Sequence, residues 1–355
     1  EENRTEVKTV AGNSNLHMSK DAREDEYYTD LAMIENELKH YRPHFRGKKV
    51  FCNCDDPYES NFFKYFAMNF NSLGLKKLIS LGYSGSPIVY TQLSLFDDIE
   101  EPKVIEERHP YKIEISEVTD ENGDGAIDLS DVELLIRNKK NVLTMLNGDG
   151  DFRGQESQIA LDEADIIVTN PPFSLMKEYI PLLMNSGKQF LVLGNMNHIT
   201  FKEIFHYFIE NKIWLGYTSG HFWFKVPEYY EEKRTDFKID ESGQKWRRLG
   251  NICWFTNMEI EKLHQPLTLY KHYSSEEFPT YDNYDAIHIE KVADIPCDYN
   301  GVMAVPITFM DKYSPDQFEI LGKFDGGSDS NVWDLAKPIL NGNPKYKRIA
   351  IRRKV

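Results

Sequence analysis

Ala164-Asp-Ile-Ile-Val-Thr-Asn-Pro-Pro-Phe173 is an apolar run that ends in a stiff, polar-then-aromatic turn. Ile166, Ile167 and Val168 are consecutive β-branched residues, which predicts a strand buried on both faces at the centre of a parallel sheet. Asn170 precedes two prolines. Proline fixes its own φ and pushes the residue before it into extended backbone, so the Asn170 side chain is aimed by a rigid support. Pro171 and Pro172 lack an N–H and keep carbonyls as acceptors, and Phe173 adds a flat apolar face. Together they fit a planar base that carries an exocyclic amino group.

The chemistry suited to these residue types is methyl transfer to an aromatic-ring amine, whose lone pair is delocalised and poorly nucleophilic. Donation of its two N–H groups to the Asn170 side-chain oxygen and the Pro171 carbonyl lets the nitrogen pyramidalise. Charge that develops in the transition state then meets preorganised acceptors.

The segment resembles the catalytic motif of amino-group methyltransferases that use S-adenosylmethionine. With Asn53-Cys-Asp-Asp-Pro57 and Ser60-Asn-Phe62 upstream and Ala304-Val-Pro-Ile-Thr-Phe309 downstream, the chain is similar to the EcoRI-type adenine-specific DNA methyltransferases from about Lys20 to its C-terminus. That resemblance implies an α/β fold: a Rossmann-like class I methyltransferase sheet, with an inserted calcium-loop-like segment and a C-terminal recognition region read from the residues below. It also implies double-stranded DNA as partner and Asn170, Pro171, Pro172 and Phe173 as the catalytic group.

The cofactor expectation falls on several stretches. Asp25 to Asp30 opens an amphipathic helix with Leu31, Ile34 and Leu38 at helical spacing and Thr29 or Asp30 as cap. In the resemblance, Tyr28 and Thr29 touch the cofactor. Lys48 to Asn53 predicts the first strand. Ligands of open α/β sheets bind beyond the carboxyl ends of strands, which assigns Asn53, Cys54, Asp55 and Asp56 to the cofactor. No Gly-x-Gly is present there, so side chains and carbonyls make the approach, and the carboxylates offset the sulfonium and ammonium charges. Lys77 to Tyr83 predicts a second strand, but no carboxylate ends it for the ribose hydroxyls. Asp151 and Phe152 resemble the pair that holds the cofactor's adenine, and Asn170 completes the set.

The rhythm breaks between about residues 84 and 141. Tyr111-Lys-Ile-Glu-Ile-Ser116 alternates like a strand, and Asp120 to Asp131 follows in calcium-loop register. Asp120, Asn122, Asp124, Asp128 and Asp131 offer side-chain oxygens and Ala126 a carbonyl, with Gly125 at the sharp turn. The same spacing suits a solvated acidic Asx-turn. A bound calcium would staple the insertion without a part in transfer.

At 355 residues the chain can bury a large core. Its formal charge of −15 argues against a general nucleic-acid coat, but not against a DNA enzyme with a basic cleft. Lys245-Trp-Arg-Arg248 and the tail Lys345 to Lys354 are basic clusters. Cys52, Cys54, Cys253 and Cys297 form no CxxC pair, which suggests a reducing cytoplasm. No apolar run approaches the roughly 18 residues a membrane helix needs. Residues 1–17 read as a leader with Met18 as the start, residues 18–217 as the catalytic domain, and residues 218–355, rich in aromatics beside cations, as the recognition region. Methyltransferases of RNA bases or glutamine amides carry the same catalytic text. A cytosine enzyme with Cys297 as nucleophile and a non-catalytic nucleic-acid binder are the remaining alternatives.

Overall fold

The computed structural model describes residues 29–54, 60–82, 110–125, 128–138, 143–226, 228, 230–326 and 332–354. Tyr28, Asp55, Asp56 and Ala126, named above for the cofactor and the metal, lie outside these residues.

The Ile166-Ile167-Val168 run forms β5 (Ile166–Thr169), and all four of its residues are buried. It lies between β1 (Lys49–Cys52) and β6 (Gln189–Asn195) and pairs in parallel with both. On the other side of β1, β2 (Lys77–Gly82) is also parallel. Strand direction then reverses towards both edges. β3 (Tyr111–Ile115) joins β2 and β4 (Leu143–Met145) joins β3, each antiparallel. The 84–141 interruption therefore contributes a strand, β3, to the main sheet itself. At the far edge, β9 (Lys245–Thr256) pairs antiparallel with β6, while β7 (Trp214–Lys225) and β8 (Phe237–Ile239) flank β9. The order is β4-β3-β2-β1-β5-β6-β9-β7, with β8 also on β9. Position 218 falls inside β7, so the first sheet continues through the 217/218 boundary to Thr256.

Side-chain alternation splits the central strands between two cores. Val50, Ile166, Val168, Leu191 and Trp254 face one side, with helices α1 (Leu31–Leu38) and α2 (Asn61–Met68). Phe51, Ile167, Phe190, Val192 and Phe255 face the other. That second core is completed by α4 (Gln155–Glu163), α5 (Met176–Ser186) and α6 (Lys202–Ile209), which follow α3 (Leu129–Asn138). It is completed also by a further sheet. There β10 (Ala286–His288), β11 (Val302–Val305), β12 (Phe318–Phe324) and β13 (Asp334–Leu335) combine with β16 (Arg348–Arg353) in the order β10-β11-β16-β12-β13. A small ribbon of β14 (Ile339–Leu340) and β15 (Asn343–Pro344) precedes β16. The basic tail is thus a central strand: Ile349 and Ile351 point into the core, while Arg352 pairs with Glu319 at 2.9 Å.

The expected cap of α1 is Asp30, whose Oδ1 accepts from Ala32 N at 2.9 Å. The helix carries Glu37, fully buried. Its carboxylate accepts from Tyr41 Oη at 2.8 Å, from the amides of Tyr217 and Thr218 at 2.7 Å, and from Thr218 Oγ1 at 2.8 Å. Trp254 Nε1 donates to the same Thr218 hydroxyl at 3.0 Å. A buried charge is tolerable only when satisfied in this way. Gly216 makes the approach possible, because a Cβ there would stand 2.2 Å from Glu37 Oε1. Burial and the Glu37 charge push the Tyr41 phenol well above its ordinary pKa. Glu37→Ala would strand these donors, and a loss of about 2–4 kcal/mol is expected in urea unfolding; a loss below about 0.5 kcal/mol would show that water replaces the carboxylate.

Candidate active site

The parallel register brings three strand ends together. β1 stops at Cys52 and β5 at Thr169, and β6 runs beside β5 with Val192 opposite Thr169. Sheet order departs from chain order at β1, whose neighbours are β2 and β5; such a break opens a crevice beyond the carboxyl ends. Cys54 N donates to Thr169 Oγ1 at 2.9 Å, which ties the turn after β1 to the base of the Asn170 turn.

Asn170 is half-buried, Pro171 is buried, and Pro172 and Phe173 are half-buried. Pro172 is extended, with φ −56° and ψ 125°, and its carbonyl accepts from Leu175 N at 3.0 Å. Of the two prolyl carbonyls assigned as acceptors from sequence, Pro172's is thus engaged by the turn that starts at Phe173. The Phe173 ring meets the edge of His198 at 5.5 Å and 77°. His198 sits in the short helix after β6, where its Nδ1 accepts from Asn195 N at 3.1 Å while Asn195 Oδ1 accepts from Asn197 N at 2.9 Å. Burial lowers its pKa to about 4, so the ring is neutral at physiological pH.

Asn53 is buried beside this turn, and its Oδ1 accepts from Ser157 Oγ at 3.1 Å. Its Nδ2 is buried without a hydrogen-bond partner among the described residues, as is the Thr29 hydroxyl. Thr29 is anchored through its carbonyl, which accepts from Asn61 Nδ2 at 2.8 Å. Buried polar atoms without partners are costly and call for a partner, whether a ligand or an ordered water. Two residues assigned to the cofactor from sequence thus each hold one such atom.

Ser157 also lines a cleft of about 270 Å³, with Asn147, Gly148, Asp151, Gly154 and Glu156. Glu156 shapes it by accepting from the amides of Asn147 at 3.0 Å and Gly148 at 2.8 Å. Asp151 accepts from Arg153 Nε at 2.9 Å and Nη2 at 2.8 Å, and the Arg153 guanidinium holds its pKa below the usual carboxylate value. Phe152 is buried edge-on against Tyr179 at 5.0 Å, with Arg153 over its ring. His198, Ser157 and Glu156 escaped the sequence reading. The one available signal was the Asn195-x-x-His198 spacing, which fits a capping box.

The acidic loop closes on its own amides. Asp120 accepts from Gly123 and Gly125 at 2.6 and 2.8 Å. Asn122 accepts from Asp124 N at 2.9 Å and donates to Asp124 Oδ2 at 3.0 Å. Asp128 caps Ser130 at 2.8 Å. Asp131 is buried and accepts from Asp128, Glu121 and Asn122 amides, which lower its pKa, the Asp128 bond most. Among the described residues, three His, Cys, Asp or Glu ligating atoms converge within 4.8 Å only at His272, Cys297 and Asp298. Cys297, half-buried, lies 3.7 Å from His272 Nδ1 and follows β10 in the chain. Among the described residues no helix is long and apolar enough to cross a membrane.

The chain belongs to the adenine-specific methyltransferase EcoRI family, whose model matches residues 15–354. It is accordingly an enzyme of the adenine-specific methyltransferase class. It is 43% identical over 348 residues to the Type II methyltransferase M.EcoRI of Escherichia coli, covering 97% of this chain and 98% of that one. The Type II methyltransferase M.MgeORF184P of Mycoplasma genitalium is 33% identical, covering 95% of this chain and 98% of its own. For M.MpnI of Mycoplasma pneumoniae the identity is 33%, over 86% of this chain and 84% of that one. No solved structure matches.

The buried neutral His198 has a consequence for stability. The unfolded chain binds the imidazole proton near pH 6.5 and the folded chain only near 4, so the contribution is complete above about 6.5 and is lost as pH falls towards 4. Across that window wild type should lose up to about 3 kcal/mol more than His198→Asn in urea unfolding. Parallel pH curves for the two would contradict a buried, neutral ring.

Proposed function

We propose that the chain transfers the methyl group of S-adenosylmethionine to N6 of a target adenine in double-stranded DNA at a defined sequence, as a Rossmann-like class I methyltransferase. The observation that carries the reading is the Asn170-Pro171-Pro172-Phe173 turn at the carboxyl end of β5, with Asn53 just past the end of the neighbouring β1. Family membership and the Type II methyltransferase names of the relatives support the same class. The cofactor supplies an electrophilic methyl on a sulfonium. Thr29, Asn53 and Cys54 would hold it, with Asp151 and Phe152 at its adenine and Tyr28, Asp55 and Asp56 completing the set. Asp151 would share its carboxylate between Arg153 and that adenine.

A duplex hides the amine, so the target base must be extruded, at a cost of a few kcal/mol. Phe173 would offset part of this by stacking on the base. The Asn170 side-chain oxygen and the Pro171 carbonyl would accept the two amine hydrogens, with Pro172's carbonyl already occupied by Leu175. Two aligned acceptors leave the nitrogen lone pair free to localise and stabilise the charge it develops. His198, neutral and edge-on to Phe173, would fix that ring. The C-terminal part, from β7 onward, would carry target recognition. Asn170→Ala is expected to lower kcat by about 10²–10³-fold with little change in S-adenosylmethionine affinity by calorimetry; turnover near the wild-type rate would sink the mechanism.

We read the 120–131 loop as an amide-closed turn: Asp131 is buried and its two oxygens accept from three backbone amides, which holds the loop without an ion. Melting temperatures with added calcium and with excess chelator should coincide. A rise of several degrees in calcium would restore the metal reading.

A further inference from the structure

The ladder between β6 and β9 ends at Asn195–Ile252. β6 and β5 are parallel, so Asn195 is at the carboxyl edge of the sheet, the edge that holds Asn170. Residues 245–251 of β9 therefore continue past β6, beyond the catalytic edge. Phe222–Lys225 of β7 pairs with this outer part on one side and β8 on the other, giving a three-stranded arm. Its base is clamped to the site: Asn195 Nδ2 donates to Gly250 O at 2.8 Å, and Asn195 also holds the His198 that meets Phe173.

Directly paired residues of an antiparallel ladder share a face. Trp223 pairs with Arg248, and Trp246 pairs with both Lys225 and Lys238, so these five side chains occupy one side of the arm. The opposite side carries the buried Phe224, which packs into the core. On the open side, Lys238 Nζ lies 4.6 Å from the Trp223 ring centre and 5.5 Å from that of Trp246, and Lys225 Nζ lies 5.6 Å from Trp246. Lys225, Lys238 and Arg248 are exposed. Arg248 has Asp236 at 3.6 Å, but neither Lys225 nor Lys238 has a carboxylate partner among the described residues. The paired stretches 222–225, 237–239 and 245–249 contain Lys225, Lys238, Lys245, Arg247 and Arg248 and no Asp or Glu, in a chain of net charge −15. Asp240 accepts from Trp246 Nε1 at 2.8 Å, but among the described residues no carboxylate lies within ion-pair distance of Lys225 or Lys238, and two such ammonium groups held over indole faces suit an anionic polymer.

We propose that this face of the arm is the surface that grips the DNA backbone beside the extruded adenine, with Lys225 and Lys238 each contacting a phosphate and the two indoles fixing their positions. This rests on the DNA reading above and assigns that contact to particular side chains.

The test is fluorescence anisotropy with a labelled mixed-sequence duplex, titrated between about 50 and 200 mM salt, for wild type and for Lys225→Gln, Lys238→Gln and the double variant. Each single substitution should make the plot of log affinity against log salt shallower by about 1, and the double variant by about 2. Lys225→Arg with Lys238→Arg should restore the wild-type slope, and S-adenosylmethionine affinity should be unchanged throughout. Unaltered slopes in the Gln variants would overturn the proposal, and so would weaker binding at every salt concentration with the slope preserved. Transfer of methyl to DNA by wild type separates the two levels. If wild type methylates DNA while the slopes stay the same, the arm alone is refuted; if wild type neither binds nor methylates DNA, the functional reading falls first.

Discussion

Two proline rings placed directly after a strand buried on both faces leave Asn170 little conformational freedom, and the remainder of the site depends on that restriction. A flexible asparagine would spend entropy to meet a substrate amine. Here the ordering is done during folding, by burial of Ile166, Ile167 and Val168 and by the Cys54–Thr169 bond that fastens the neighbouring turn. In the proposed function the acceptor would thereby be set before substrate arrives, which is what electrostatic stabilisation of a developing charge requires.

From that point outward the architecture is a series of supports. β6 ends beside β5, and its last residue, Asn195, caps the turn that carries His198 against Phe173. The same Asn195 reaches Gly250 at the base of the β7–β9 arm. On the opposite face, Glu37 of α1 fastens the helix to the β7 amides, and the residue just before the cap of that helix is Thr29, whose buried hydroxyl has no partner among the described residues. The Asn170 turn, the turn after β1 and the arm are thus linked by a few satisfied polar groups through a common sheet.

Local features were legible in the sequence and long-range ones were not. β1, β2, β3, β5 and the Asp30 cap follow from short periodic runs with punctuating residues. The return of β9 to the first sheet depends on a pairing across many residues, which composition near position 218 does not encode. In Lys345 to Lys354 the count of charges obscured the apolar Ile349-Ala350-Ile351 centre that makes it an interior strand. The oxygens of the 120–131 loop have a spacing that serves amide caps as well as a metal, and only geometry distinguishes the two. Of the candidate site, the NPPF turn and Asn53 stand out in the sequence because their residue types suit the proposed chemistry. His198 and Ser157 act through partners distant in the chain, or through a cap, and left little trace.

The most direct test of the account is transfer of labelled methyl from S-adenosylmethionine to unmethylated genomic DNA, followed by nucleoside analysis. The account predicts label in N6-methyladenine at a discrete set of positions. Label in 5-methylcytosine, or in RNA or protein but not DNA, would contradict it.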